Sequence, residues 1–393
     1  MSLSDSLNNL TRPAAPKEWQ KRKNWNPATG EGEMVTGFIE PVEEFSSLLE
    51  RFGWNPETVE IDGTVNAWYK EQPWPKDEEG NEITDGERPN LVSYFFKVRT
   101  REFNLDLPSM YQASQQAPLP PYEGPRDADR VAVVAFADAQ IGKKASRGGT
   151  PELIERLKEK RAKLQYRLLQ NPPERMILAE VGDIFEGFES GGNPSFTNDL
   201  SLHQQMDMAS TELVNFLKVM MPFGHVDVLC VPSNHTQWRN GKQQLGHPGD
   251  DLGLLVHKQV EKIAQEAGWD VTWHFPGFFE EAVTLDVNGT VLGVVHGNQY
   301  MPGGAVKWWS GMQHGGQPVG AADILLAGHY HHLHLYPTGR NPYTKRTKWF
   351  VQAPTLDNGS DWYRNRTGDD SDPGLLVFDI TEEGFDLQSL NVL

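Results

Sequence analysis

The sequence predicts an α/β protein with a small α+β module ahead of its main domain, and three observations carry that reading. From residue 131 onward, continuous apolar runs alternate with long amphipathic stretches, the pattern of buried strands with helices on the faces of a sheet. The last third is rich in short apolar runs, two of them joined by Asn288-Gly289, a two-residue hairpin signal. Between 104 and 130, Pro108, Pro118, Pro120, Pro121 and Pro125 disfavour regular structure and read as a linker.

Residues 1–30 are polar, with Pro13, Pro16 and Pro27, and read as a mobile arm. Lys17, Lys21, Arg22 and Lys23 cluster there around Trp19 and Trp25, a group suited either to nucleic acid or to packing on a second domain. Residues 31–103 read as the small module. Pro41 suits a first helical position, Val42, Phe45, Leu49 and Phe52 recur on one face, and Gly53 ends the turn. Val65, Ala67 and Tyr69 alternate, as do Val92, Tyr94, Phe96 and Val98; these are two strands joined by an acidic loop over 76–87. In the main domain, 131–393, strands are expected at Val131–Phe136, Met176–Val181, Val226–Val231, Ala282–Val287, Val291–Val295, Ile324–Leu326, Trp349–Val351 and Leu375–Phe378. Helices are expected over Pro151–Leu169, Leu200–Met220 and Asp251–Ala267.

Composition narrows the function classes. The chain has 393 residues, 38% hydrophobic and 23% charged, enough to bury a sizeable core. No apolar run reaches the roughly 18 residues of a membrane span, so no membrane partner is expected. The N-terminus lacks the basic start and apolar stretch of a signal peptide. The lone cysteine, Cys230, sits in an apolar run and reads as a buried hydrophobe, which points to a reducing cytoplasm. A net charge of -18 does not suit a protein that coats nucleic acid by bulk electrostatics, though bound cations would offset that field locally. No Gly-x-x-x-x-Gly-Lys phosphate loop and no Gly-x-Ser-x-Gly elbow occur, and one cysteine rules out zinc–thiolate sites.

Five short stretches carry the chemistry: Asp138-Ala139-Gln140, Gly182-Asp183-Ile184-Phe185-Glu186, Ser233-Asn234-His235, His296-Gly297 and Gly328-His329-Tyr330-His331. Each places an oxygen or imidazole donor where an apolar run ends, and together they spell a site for two metal ions, since hard divalent ions take carboxylate, amide and imidazole donors in combination. Singly, each reads as well as an ordinary polar turn. Asp138 and Gln140, two apart, can ligate one ion. The two oxygens of Asp183 can bridge two, with Glu186 behind holding a neighbour by hydrogen bonds. Asn234 offers a neutral amide, and His235 beside it suits a general acid. On a strand, His329 and His331 would face one side, and His332 and His334 the other.

In this order the motifs resemble those of the calcineurin-like metallophosphoesterases, over residues 131–380. Lys307-Trp308-Trp309-Ser310, 328–332 and 353–363 look like the version carried by tailed phages of actinobacteria, similar to the SbcD-type DNA repair nucleases. The resemblance implies a four-layer fold, a two-sheet β-sandwich flanked by helices. It implies one metal on Asp138, Gln140, Asp183 and His331, and another on Asp183, Asn234, His296 and His329. Manganese is the expected ion, and the donors also admit iron, zinc or magnesium. A metal-bridging hydroxide would attack phosphorus in line, and His235 would protonate the leaving oxygen. Two positions depart from the commonest pattern: Gln140 stands where His is usual, and Ser233 where Gly is usual.

The implied function is phosphodiester hydrolysis, with DNA as the expected substrate of a phage nuclease in the host cytoplasm. An SMC-type ATPase partner and a homo-oligomer stay open, as do exonuclease or endonuclease action. Two other classes remain: a small-molecule phosphodiesterase or nucleotide diphosphatase, towards which Gln140 and the acidic charge lean, and a non-catalytic binding protein shaped by its metal. Retention of His235 argues against the last. Arg239 and Lys242, just past His235, would touch a substrate phosphate or lie in a solvated loop. Trp308 and Trp309 would stack on a base or belong to the core, and Arg156, Lys158, Lys160, Arg161 and Lys163 read as a solvated helix.

Overall fold

The computed structural model describes residues 21–26, 29–56, 59–71, 90–100, 105–188, 198–240, 243–361, 364–365, 368 and 370–393. The chain divides into two compact units, Met1–Asn104 and Leu105–Leu393.

In the first unit, strands β1 (Arg22–Asn26), β2 (Glu31–Ile39), β3 (Val59–Glu71) and β4 (Asn90–Thr100) form an antiparallel sheet in the order β1-β2-β4-β3, with helix α1 (Ser46–Arg51) between β2 and β3. The alternation of Val92, Tyr94, Phe96 and Val98 buries one face of β4 against Met34, Leu48, Leu49 and Trp54. Part of the expected mobile arm is therefore a strand. Arg22 pairs with Glu33 at 3.0 Å, Lys23 Nζ donates to Phe52 O at 2.6 Å, and Trp25 packs on Trp54. Lys17, Trp19 and the acidic loop at 76–87 lie outside the described residues.

The second unit is a mixed α/β arrangement. It runs α2 (Leu107–Ser114), β5 (Asp127–Phe136), α3 (Thr150–Gln170), β6 (Pro173–Glu180), α4 (Leu202–Met220), β7 (His225–Cys230), a short pair β8 (Arg239–Asn240) and β9 (Gln243–Gln244), α5 (Leu252–Glu266) and β10 (Val271–His274). There follow β11 (Ala282–Val287), β12 (Thr290–Val295), α6 (Ala305–His314), β13 (Ile324–Ala327), β14 (His334–Arg340), β15 (Thr347–Gln352), β16 (Leu376–Thr381) and β17 (Gly384–Val392). A six-stranded sheet has the order β10-β7-β6-β5-β16-β17, and a five-stranded sheet the order β11-β12-β13-β15-β14. The segment expected to be a linker holds α2, capped by Asp106, and the start of β5.

The continuous apolar runs now have a cause: these strands are buried on both faces. Val131, Val133 and Ala135 of β5 join Ile177, Leu229, Leu292, Val294, Ile324, Leu326 and Val351 in a core shared by the two sheets. The alternate residues Ala132, Val134 and Phe136 pack instead with Leu157, Leu164, Leu213 and Phe216 of the helices. On the far side of the second sheet, Val295, Leu325 and Phe350 meet Ala305 and Trp309 of α6. Capping follows the sequence: Asp251 accepts Leu254 N at 3.0 Å, and Gln204 accepts Ser201 N at 2.9 Å.

The helix α3 departs from its expectation as a solvated helix. Arg161 is 1% exposed and pairs with buried Glu212, and Arg156 donates to Leu356 O, Asp357 O and Asn358 Oδ1. Trp309 is core, donating to Val319 O at 2.8 Å with Lys348 over its ring, and Trp308 packs against Tyr300. No helix among the described residues is long and apolar enough to cross a membrane.

Candidate metal centre

Parallel strands place the site. β5, β6 and β7 are neighbours and parallel, so the loops after their last residues emerge together carrying Asp138, Asp183 and Asn234. β12, β13 and β15 are likewise parallel, and deliver His296, His329 and the 353–357 loop. Loop-to-loop bonds tie these ends to one another: Asp138 N donates to Gly182 O, Gln140 N to Asp183 O, Gly328 N to His296 O, and Leu356 N to Ala137 O.

The backbone at these ends is unusual. Asp138, Gln140, Asp183, His329 and His331 all have positive φ, between 43 and 70°. His329 and His331 therefore do not share a strand face, as their spacing suggested; they sit in the loop between β13 and β14 and turn to different partners. Two glycines are needed for space. A Cβ on Gly182 (φ 100°) would meet His296 Nδ1 at 2.4 Å, and one on Gly328 would meet Asp138 Oδ2 at 2.5 Å.

Asp183, Asn234, His296 and His329 converge. His296 Nε2 is 3.1 Å from Asp183 Oδ2, 2.9 Å from Asn234 Oδ1 and 3.2 Å from His329 Nδ1. Its Nδ1 faces Val181 O at 2.8 Å, so that nitrogen keeps its proton, and Nε2 carries a lone pair once the ring is neutral. With His329 in the tautomer that carries its proton on Nε2, four acceptors then point at one spot. Asp183 Oδ2 is buried with no hydrogen-bond partner, although His296 Nε2 is close by. Lone pairs that face each other in a buried place call for a cation between them. Asp183, His296 and His329 also bring their donor atoms within 4.8 Å of one another, a spacing one metal ion satisfies.

Charge follows the same logic. Burial opposes ionisation of His296, but Asp183 outweighs it and pushes the ring up to about 9. Burial and the neighbouring His296 push His329 down to about 3. Asp183 is held well below the usual carboxylate range, since His235 and His296 outweigh its burial.

His235 stands beside this group. Its Nδ1 is 3.0 Å from Glu186 O and 3.2 Å from Glu186 Oε2, and its Nε2 is 3.7 Å from Asp183 Oδ2. Its backbone N–H donates to Asp183 Oδ1 at 3.0 Å. Burial alone would lower this imidazole, yet Asp183 and Glu186 raise it to about 9. Ser233 Oγ accepts Asp183 N at 2.8 Å.

The remaining candidates take other partners. Both oxygens of Asp138 lie 3.0 Å from His329 N, and Oδ1 is 3.5 Å from His331 Nε2. Gln140 turns its oxygen to Lys143 Nζ at 2.5 Å and its nitrogen to His235 Nε2 at 3.2 Å. Lys143 also pairs with Asp357 at 2.5 Å, and Asp357 lies 3.9 Å from His331 Nδ1. Arg239 donates to Asn234 O at 2.7 Å and braces that loop, and Lys242 lies outside the described residues. Lys143 and Asp357 were missed as site residues. The signal for Lys143 was its place three residues past Gln140 in a glycine turn, whereas Asp357 has no local signature.

Comparison with known proteins adds little. No protein-family model and no curated protein matches the chain. Among solved structures, Vps29 of Chaetomium thermophilum bound to a cyclic peptide is 12% identical, with 43% of this chain and 78% of that chain covered at a TM-score of 0.24. An uncharacterized protein of Streptococcus pneumoniae, described as a predicted phosphoesterase, is 10% identical, with 68% and 99% covered at a TM-score of 0.25. Scores of that size carry no argument about fold or function, so the functional reading rests on the site.

Proposed function

We propose that the chain is a metal-dependent phosphodiester hydrolase of the calcineurin-like type, and that its substrate is DNA, cut during phage replication, recombination or repair. The observation that carries the reading is the convergence of Asp183 Oδ2, Asn234 Oδ1, His296 Nε2 and His329 Nδ1, with Asp183 Oδ2 buried and without a hydrogen-bond partner. These four residues would hold a divalent ion, manganese by expectation. Such an ion acidifies a bound water and draws charge from phosphoryl oxygens.

The chain's own residues do the rest. Asp183 is held at two points: its backbone N–H donates to Ser233 Oγ, and its Oδ1 accepts from His235 N–H. Glu186 holds the His235 ring through Nδ1, and Nε2, 3.2 Å from the Gln140 amide nitrogen, would take up a proton and turn it from that amide to the leaving oxygen. A cation at Asp183 would offset part of the negative field that raises His235 and so lower the pKa of that imidazole. Trp238, three residues past His235, is 52% exposed, and an exposed indole suits stacking on a nucleobase.

Incubation of the purified chain with Mn2+ and linear duplex DNA, single-stranded DNA or bis-p-nitrophenyl phosphate tests this. Cleavage of DNA is expected. Cleavage of the small ester alone would favour the small-molecule phosphodiesterase, and metal binding without any cleavage would favour the binding protein. A chain that binds no divalent ion would overturn the reading.

A further inference from the structure

The two halves of the cluster differ in how their donors are satisfied. In the half built by Asp183, Asn234, His296 and His329, acceptors face one another. In the half expected from Asp138, Gln140 and His331, protein hydrogens already reach the oxygens of Asp138 and Gln140. His329 N–H points at both oxygens of Asp138, at 3.0 Å each. The Gln140 oxygen accepts from the Lys143 ammonium at 2.5 Å. An ammonium has no acceptor, so it fixes the amide with its oxygen towards Lys143 and its NH2 towards His235.

Lys143 is itself held in place. It is 8% exposed, its ammonium meets Asp357 Oδ2 at 2.5 Å, and Asp357 is 1% exposed. Asp357 accepts Gly359 N at 2.8 Å, and Arg156 clamps the carbonyls of Leu356 and Asp357. The ammonium is thus a fixed positive charge beside the donors expected to share a second ion.

We propose that the Lys143 ammonium takes the place of a second metal ion, so that the chain binds one divalent ion, at Asp183, Asn234, His296 and His329. This rests on the metal-dependent reading above. A divalent ion drawing on the Gln140 oxygen would face the ammonium across that same atom, and like charges at such a distance repel strongly in a buried place. The ammonium supplies the positive charge the second ion would bring, as a point charge suited to phosphate. Gln140 fits the same scheme, because an amide oxygen accepts from an ammonium.

The test is a count. The full chain is loaded with excess Mn2+, freed of unbound metal, and its manganese measured by plasma mass spectrometry and native mass spectrometry, with electron paramagnetic resonance on the same sample. One ion per chain and the spectrum of an isolated ion are expected. Lys143→Met should take up two ions and give an exchange-coupled spectrum, and Lys143→Gln provides a second, polar variant should the first be unstable. Two coupled ions in the unaltered chain would overturn the proposal, and so would folded variants that stay at one. No ion in the unaltered chain would instead bring down the metal-dependent function itself.

Discussion

Replacing His235 by alanine separates the proton donor from the metal ligands. The side chain lies 3.7 Å from Asp183 Oδ2 through Nε2, and its Nδ1 is tied to Glu186 at 3.0 and 3.2 Å. None of the four converging acceptors belongs to it, so His235→Ala should keep the metal. The backbone N–H that orients Asp183 also survives the substitution. Loss of a positioned general acid costs about 10²–10⁴-fold in rate, or about 3–5 kcal/mol of transition-state stabilisation. The loss should depend on the leaving group. A DNA alkoxide needs a proton as it departs, whereas p-nitrophenolate leaves readily without one. Steady-state kinetics on DNA and on bis-p-nitrophenyl phosphate, with manganese content measured alongside, make the check. A large loss on DNA and a small one on the nitrophenyl ester are expected. Equal losses on both, or loss of manganese from the variant, would refute the role given to His235.

The other consequences are local. Gly182→Ala puts a Cβ 2.4 Å from His296 Nδ1 at a φ of 100°, so backbone strain of about 1–3 kcal/mol and loss of the His296–Val181 bond, about 1 kcal/mol, should lower the denaturation midpoint and the Mn2+ affinity together; an unchanged affinity would count against the placement of His296. His235 and His296 are raised to about 9 from an unfolded value of about 6.5, so the stability their imidazolium forms add to the ion-free chain is full below about 6.5 and is lost as pH rises to about 9. A cation competes with the His296 proton, so Mn2+ affinity should rise through that window with proton release, measured by calorimetry in buffers of different ionisation heat; binding without proton release contradicts the geometry. Arg161→Met strands Glu212 in the interior and should cost about 3–5 kcal/mol in urea denaturation, far more than an exposed arginine would.

Much of the second unit was legible because strands buried on both faces leave an unbroken apolar run; the expected strands Val131–Phe136, Met176–Val181 and Val226–Val231 finish within one residue of the observed C-terminal ends, while the first two strands begin four and three residues earlier than expected. The donors at those ends could be read for the same reason, since each follows directly on such a run. What the pattern hid were elements whose burial is one-sided or partial. β14 mixes exposed and half-buried residues, and β17 is polar along much of its length. β1 was read as part of a mobile arm because Arg22, Lys23 and Asn24 carry no apolar pattern; its place is set by pairing with β2 and by Trp25 on Trp54. Charges misled in α3, where lysines and arginines suggested solvent while Arg161 is held inside by a partner 51 residues away. Lys143 and Asp357 are 214 residues apart, and their pairing exists only once β5 and β15 lie in neighbouring sheets.

The backbone offers an argument for function that no periodicity could give. Among the described non-glycine residues, seven have positive φ, and five of them are Asp138, Gln140, Asp183, His329 and His331; Asn288 is the hairpin turn and Lys345 the other. Such conformations cost of order 1–3 kcal/mol each and persist only where their surroundings fix them. Here the fixing is visible: Asp183 N is held by Ser233 Oγ, Gln140 N by Asp183 O, His329 N by the Asp138 carboxylate, and His331 O by Thr355 N. Stability alone would favour glycine or asparagine at these positions. An imidazole or carboxylate there gains nothing in packing, but it aims a donor across the mouth of the two sheets at its neighbours. Strain concentrated at residues that carry lone pairs, and offset by bonds to one another and to the adjoining loops, is what the proposed cation site would demand of its loops.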